Sequence, residues 1–328
     1  MKKYIVEVLD GMAKGLFSSL IAGLIIIQLG KLLGIEQVLV FGKFAQYMMG
    51  PAIGVGIALK RNAGMYTIIA AAIVGALGAG TFNIEANTLR IGEPVGALIS
   101  VLFAVEAGKL LEGKTSFDLL IIPIIVASVG GVVALFIAPP ISSFMTSAGD
   151  LINKITMMQP VLMGILLGLI VGALLTLPIS SAALCIAIGI NGLAAGAALA
   201  GCCAQMIGFA VISYRENRIS GFFLQGLGTS MIQIGNIVKN FWVWIPTLVA
   251  SAVGGLLATT VFKLPSTSLG AGMGTAGLVG PIATLELVGM GRLFEMFLLY
   301  LIIPALLSLI VYMPLLKLGY IKRGDLKL

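Results

Sequence analysis

Two glycine patterns in the chain have the spacing of phosphate-binding chemistry. Gly272-x-Gly274-x-x-Gly277 spells a dinucleotide fingerprint, in which glycines let backbone N–H groups approach a pyrophosphate at a helix N-terminus. Gly108-Lys109-Leu110-Leu111-Glu112-Gly113-Lys114-Thr115 matches the phosphate loop G-x-x-x-x-G-K-[ST] letter for letter. Neither has the context that the chemistry needs. The phosphate loop works only after a strand, whereas residues 109–112 end an apolar run and read as a helical turn. There Glu106 and Lys109 have the i, i+3 spacing of an ion pair. No β-α-β unit surrounds Gly272, and no acidic residue follows on a second strand. The chain has no histidine, which excludes His-based zinc sites, Ser-His-Asp triads and a phosphohistidine. Cys185, Cys202 and Cys203 lie in apolar runs without the paired spacing of a disulfide or metal site, and read as small packing residues. No cofactor or metal is expected.

The chemistry left to the chain is that of amides and hydroxyls embedded in apolar sequence. Asn191 and Gln205 lie in the Gly/Ala-rich run 182–214. Gln225, Gln233 and Asn236 lie in 222–236, which is broken by Gly226, Gly228 and Gly235. Thr275, Thr284 and Glu286 lie in or just after the stretch 265–281, which has five glycines between Gly270 and Gly280 and a proline at each end. Polar groups at membrane depth pair with one another or line a pathway. Side chains that both donate and accept hydrogen bonds suit a neutral polyhydroxylated solute better than an ion. Interhelical hydrogen bonding explains each residue equally well. Glu286 ends the uncharged run 264–285; it reaches the interface, faces a polar cavity, or pairs with Arg292.

The elements that must position these groups follow from composition. The chain is 59% hydrophobic and 10% charged, against roughly 25% charged in a soluble domain. Uncharged runs at 62–84, 119–149, 241–262 and 297–316 are each long enough to cross a bilayer, and 155–214 contains no charged residue at all. The fold class is therefore an all-α polytopic membrane protein. A β-barrel would need alternating apolar and polar segments, which runs such as 24–27 do not show. Glu7 and Asp10 sit where a secretory signal would be basic. The net charge of +7 resides in loop and tail positions, as the positive-inside bias requires, so no nucleic-acid partner is expected.

With both termini cytoplasmic the number of crossings is even. Residues 15–33 run outward and 38–59 return to Lys60-Arg61. Residues 63–82 go out to a loop with Glu85, Arg90 and Glu93, and 94–111 come back. Residues 117–138 go out and end at Pro139-Pro140, because proline cannot continue the helical ladder. A partly amphipathic linker, 141–158, follows, and 160–177 return. Residues 182–214 make two short crossings or one re-entrant hairpin, giving ten or eight crossings. Residues 241–262 and 291–316 complete the set.

The chain is expected to be one membrane domain, with weakly similar halves 1–140 and 160–316. Residues 16–33 compare with 162–177, 49–58 with 190–199, and Ile121-Ile122-Pro123 with Ile302-Ile303-Pro304. Five crossings per half would invert the halves in the membrane, as in many transporters. Gly164-x-x-x-Gly168-x-x-x-Gly172 stacks three glycines on one helix face for close packing. The stretch 265–281 reads as a broken membrane segment, tolerated only where it is buried in protein or lines a cavity.

Three stretches resemble one family. They are Ile190-Asn191-Gly192-Leu193-Ala194-Ala195-Gly196 through Gln205, Asn217-Arg218-Ile219-Ser220-Gly221-Phe222-Phe223-Leu224-Gln225 through Asn240, and Gly270-Ala271-Gly272-Met273-Gly274-Thr275-Ala276-Gly277 through Gly280. The family is the stand-alone membrane (IIC-type) subunits of the bacterial phosphotransferase system, in the subgroup that includes regulator-labelled members. The resemblance implies an inner-membrane homodimer that binds a sugar near the bilayer midplane and presents it to separate cytoplasmic IIB and IIA subunits. On this reading the sugar lies between re-entrant or broken segments at 185–210, 220–240 and 266–287, with Asn191, Gln205, Gln233, Asn236, Thr275 and Glu286 as binding residues and no catalyst on this chain. Ala283-Thr284-Leu285-Glu286 is a loose counterpart of the Gly-Ile-Thr-Glu motif of glucose-type members, whose sugar-contacting histidine is absent here. The alternatives are a secondary transporter coupled to an ion through Glu286 or Glu106, and a membrane sensor acting on gene expression through a cytoplasmic partner.

Overall fold

A computed structural model describes residues 2–83, 88–114 and 117–328. Among these, six helices are long and apolar enough to cross a bilayer: Tyr4–Lys31, Pro94–Leu111, Asp118–Thr156, Gly192–Ile212, Phe241–Thr260 and Met290–Lys317. A seventh candidate, Glu36–Tyr47 with Met49–Lys60, bends by 51° at its break, and shorter apolar helices lie at Met65–Ala79, Pro160–Thr176 and Ala276–Val288. The chain divides into two compact units, Met1–Phe144 and Met145–Leu328.

In the first unit, α1 (Lys2–Leu16) continues through a π-helical turn (Phe17–Ile21) into α2 (Ala22–Leu33). The bent pair α3 (Glu36–Tyr47) and α4 (Met49–Lys60) follows, then α5 (Met65–Ala79) and α6 (Pro94–Leu111). A two-residue ladder, β1 (Phe82–Asn83) with β2 (Thr88–Leu89), joins α5 to α6; Glu85 lies outside the described residues. Antiparallel neighbours touch backbone to backbone at small residues, Gly11 on Gly56, Gly54 on Ala71 and Gly78 on Gly96, as close helix packing in lipid requires. One cluster of charged residues forms at the end where α4 meets α5. Arg61 Nη1 donates to Glu7 Oε2 (2.8 Å) and its Nε to Glu106 Oε1 (2.9 Å), while Lys60 reaches Asp10 (2.5 Å). Lys109 donates to the Arg61 carbonyl, so Glu106 and Lys109 do not form the ion pair that their spacing suggested. Glu112 accepts from the Gly64 N–H (2.6 Å). The described part of 108–115 thus serves helix-end contacts.

α7 (Asp118–Thr156) corrects the expected stop at Pro139-Pro140, because it runs through both prolines and takes in all but the last two residues of the expected linker. Proline's fixed φ is compatible with a helix, and each proline costs one hydrogen bond and a ring clash with the i−4 carbonyl. Unwinding the flanks would leave many more backbone groups unpaired in lipid. The boundary between the two units falls within this helix.

The second unit is built around α10 (Gly192–Ile212), almost all of which is buried. α8 (Pro160–Thr176) runs parallel to it: Gly168 lies on Gly201, Cys202 Sγ donates to the Val171 carbonyl (3.6 Å), and Thr176 reaches Gln205 (3.1 Å). Two successive parallel helices require a return, and residues 177–191, with the short α9 (Ser181–Ala187), supply it. The run 182–214 therefore holds a broken return pass and one full span. α13 (Ile245–Thr260) is antiparallel to both, with Gly164 against Gly255 and Gly168 against Ser251 and Gly255. The Gly164, Gly168 and Gly172 face performs the packing role expected of it. α17 (Ile303–Lys317), extended at its start by a π-helical turn from Leu298, is parallel to α10. Tyr300 packs with Leu199 and Cys203, and Tyr312 with Phe209 and Ile212.

Two further segments enter this framework from opposite ends. The deeper one, 265–288, starts at the N-terminus of α10, where Ser266 and Gly192 exchange backbone hydrogen bonds of 3.0 and 3.1 Å. It descends through α14 (Ser268–Ala271) until Gly274 lies on Cys202 and Met206. It then returns in α15 (Val279–Val288), with Gly280 against Leu199 and Thr284 donating to Ser266 (3.2 Å). From residue 192 to 206 a helix rises about 21 Å, so this is a re-entrant hairpin. Gly274, Gly277 and Leu278 all have φ between 51° and 60°, which ends one helix before Pro281 settles into the first turn of the next. The shallower hairpin, 214–240, enters from the C-terminal end of α10 through α11 (Tyr214–Phe223). It turns in a π-helical segment (Leu224–Gly228) beside Ile207 and Ala210, and leaves through α12 (Ile234–Lys239).

Candidate functional site

The two hairpins meet at their tips. Thr275 Oγ1 donates to the carbonyl of Gly226, and the same oxygen lies 3.5 Å from Met206 Sδ. The π-helical turn at 224–228 makes this contact possible, since Gly226 leaves its backbone uncovered. At Gly274, φ is +57° and a Cβ would stand 3.0 Å from Cys202 backbone carbon. Only glycine fits there without strain.

One turn from this junction, Gln205 is completely buried. Its Oε1 lies within hydrogen-bond distance of Thr176 Oγ1 (3.1 Å), Trp244 Nε1 (3.0 Å) and Thr247 Oγ1 (2.9 Å), and its Nε2 donates to Ser251 Oγ (2.9 Å). Thr176 continues the network to Ser230 in the shallow hairpin (2.8 Å). The carboxamide thereby ties α8, α10, α13 and that hairpin together.

A second ladder runs along the shallow hairpin. Gln225 Nε2 donates to Ser213 Oγ (2.7 Å), Gln233 Nε2 to Gln225 Oε1 (2.8 Å), and Asn236 Nδ2 to Gln233 Oε1 (2.8 Å). The same amide nitrogens of Gln233 and Asn236 reach the carbonyls of Leu326 (3.1 Å) and Lys327 (3.0 Å).

Of the six residues expected to bind solute, the structure gathers four around 224–236. Thr275 joins through Gly226, Gln205 through Thr176 and Ser230, and Gln233 and Asn236 directly. Asn191 stands apart at the N-terminus of α10, where its Oδ1 accepts from Ser268 N (3.3 Å) and its Nδ2 donates to Gly189 O (2.7 Å). Glu286 also stands apart, exposed near the end of α15. Arg292 pairs with Glu295 and not with Glu286. Thr284 lies between Ser266 and Tyr300 OH (both 3.2 Å) in the stem of the deep hairpin. Glu106 is held by Arg61 and accepts from Tyr4 OH (3.1 Å). Burial opposes the Arg61 charge, but Glu106, with Tyr4 and Glu7, outweighs it and holds the guanidinium above its ordinary pKa.

Sequence reasoning missed the partners. Thr176, Ser230, Trp244, Thr247 and Ser251 are single polar residues scattered over apolar runs, and nothing in their spacing joins them to Gln205. The part played by residues 320–328 carried no signal beyond a basic tail.

Among the described residues no Asp, Glu, Lys or Arg is buried; the buried polar groups are amides and hydroxyls. Two re-entrant hairpins that enter from opposite ends meet at their tips beside the largely buried α10. No curated protein matches the chain. The family described as Phosphotransferase system, EIIC matches residues 6–328, nearly the whole length. The chain belongs to that family, the membrane permease component of the phosphotransferase system.

Proposed function

We propose that the chain binds a sugar or sugar-like solute where the two hairpin tips meet, and hands it to a separate IIB subunit for phosphorylation. Family membership implies the coarser part, a membrane permease for sugar that cooperates with IIB and IIA subunits. The observation that carries the finer part is the Thr275-to-Gly226 contact. It joins two hairpins that enter from the two ends of α10 through one hydroxyl and one backbone carbonyl, without charge. A hydroxylated solute offers the same oxygens and protons as the groups that now satisfy Thr275, Gln233 and Asn236, and Gln205 fixes the frame around them. Phosphoryl transfer is assigned to the partner, because the chain has no histidine and its three cysteines are all buried. The protein would act as a homodimer in the bacterial inner membrane, with both termini cytoplasmic.

Ion coupling through Glu106 or Glu286 gains no support. The first is engaged by arginine at a helix end and the second lies exposed. Proteoliposome uptake separates the two mechanisms. Labelled sugar should accumulate only when a IIB protein and its phosphate donors are supplied inside. Accumulation driven by a proton or sodium gradient alone would overturn the proposal.

A further inference from the structure

The amide ladder of the shallow hairpin is closed from below by the chain's own last residues. Alternate N–H groups of 324–328 point at one limb: Gly324 and Leu326 donate to the two carboxylate oxygens of Glu216 (2.9 and 3.0 Å), and Leu328 to Asn217 Oδ1 (2.9 Å). The carbonyls point mainly at the other limb. Leu326 O accepts from Gln233, and also from Asn217 (2.8 Å) on the first limb, while Lys327 O accepts from Asn236. Asn240 donates to the Tyr320 carbonyl and to Asp325 (both 2.8 Å), holding the start of the segment. Ile321 and Leu326 are buried among Phe209, Ile212, Ile237, Val243 and Tyr312, while Lys322, Arg323 and Lys327 remain exposed. Residues 320–328 thus tie both limbs of one hairpin without belonging to either.

The limb they hold is strained. Arg218, next to Asn217, has φ 56° and ψ −156° inside α11, a conformation that a side-chain-bearing residue keeps only where its surroundings enforce it. Glu216 and Asn217 are the residues through which the tail grips that limb. The buried amides of Gln233 and Asn236 spend donors on carbonyls that leave if the segment leaves.

We infer that residues 320–328 are an intramolecular strap that locks the shallow hairpin shut, and that their release lets the strained limb relax and uncovers Gln225, Gln233 and Asn236. The strap is held by hydrogen bonds to a carboxylate and amides and by few apolar side chains. Such a segment opens locally at much lower cost than the helical core. This inference concerns the hairpin's mobility and stands whether or not the solute is a sugar.

Hydrogen exchange on the full-length protein in lipid nanodiscs tests it, with the wild type beside Leu326→Asp and Glu216→Ala. The first variant expels the apolar plug; the second removes the acceptor of two strap N–H groups and leaves the plug. Each should raise exchange across 214–240 by about tenfold or more, the effect of losing charge-assisted hydrogen bonds. Exchange across 192–212 and 245–260 should stay at the wild-type level, and trypsin should cut faster after Arg323. If the strap exchanges faster while 214–240 does not, the segment is a passenger and the inference is wrong. It is equally wrong if both variants loosen 192–212 and 245–260 as much as 214–240, which would make the tail part of the core. No change at 320–328 in either variant would show that these contacts do not hold the strap.

Discussion

At Gln205 four polar side chains share one carboxamide in a place that water does not reach, and for Trp244 Nε1 it is the one partner among the described residues. Gln205→Leu keeps the bulk but leaves the buried Trp244 Nε1 without its acceptor, while Thr176, Thr247 and Ser251 keep their bonds to Ser230, the Trp244 carbonyl and the Gly201 and Thr247 carbonyls. The variant should lose about 1–3 kcal/mol, read as an earlier thermal transition in tryptophan fluorescence. Asn191→Ala and Glu286→Gln, at exposed positions, should each change stability by no more than about 0.5 kcal/mol. An unfolding temperature for Gln205→Leu equal to the wild type's would remove the hub from the description. Polarity in an apolar run made Gln205 visible in the sequence. Its role was not visible, because the partners come from three other segments and only folding brings them together.

Among the elements, the two hairpins separate what the sequence disclosed from what it withheld. The break at 265–281 was legible, because five glycines between two prolines cannot continue a membrane helix. Its depth was not, because depth is set by contacts with α10. Gly274→Ala adds a Cβ against Cys202 at a positive φ and should destabilise the protein by about 1–3 kcal/mol. Gly131→Ala in α7 meets nothing within 4 Å and should be neutral or slightly stabilising, as expected for alanine within a helix. Equal thermal shifts for the two variants would contradict the packing described for the deep hairpin. The prolines at 139–140 misled for the opposite reason. A local rule about breaking helices is overridden where lipid penalises every unpaired backbone group. The choice between one hairpin and two passes in 182–214 needed the parallel alignment of α8 and α10, which no periodicity reveals.

For the whole molecule, composition alone identified a polytopic helical membrane protein, since so few charges cannot cover a soluble surface. Charge placement gave an orientation with a direct test. A cysteine at 323 should label only from the cytoplasmic side of sealed vesicles, and one at 90 only from the other; the reverse pattern would invert the topology. Family membership implies that the permease works with phosphorylating partners, and the proposed solute site is where the two hairpin tips meet. The most direct measurement is the thermal stability of the purified protein across a broad panel of sugars, in the wild type and in Thr275→Val. At a sugar concentration of 100 times Kd, binding to the folded state adds about 2.7 kcal/mol. At least one sugar should therefore raise the wild-type transition by several degrees, and the variant should lose most of that shift. A wild type that no sugar stabilises, or a variant that responds as the wild type does, would contradict a solute site at the junction of the hairpins.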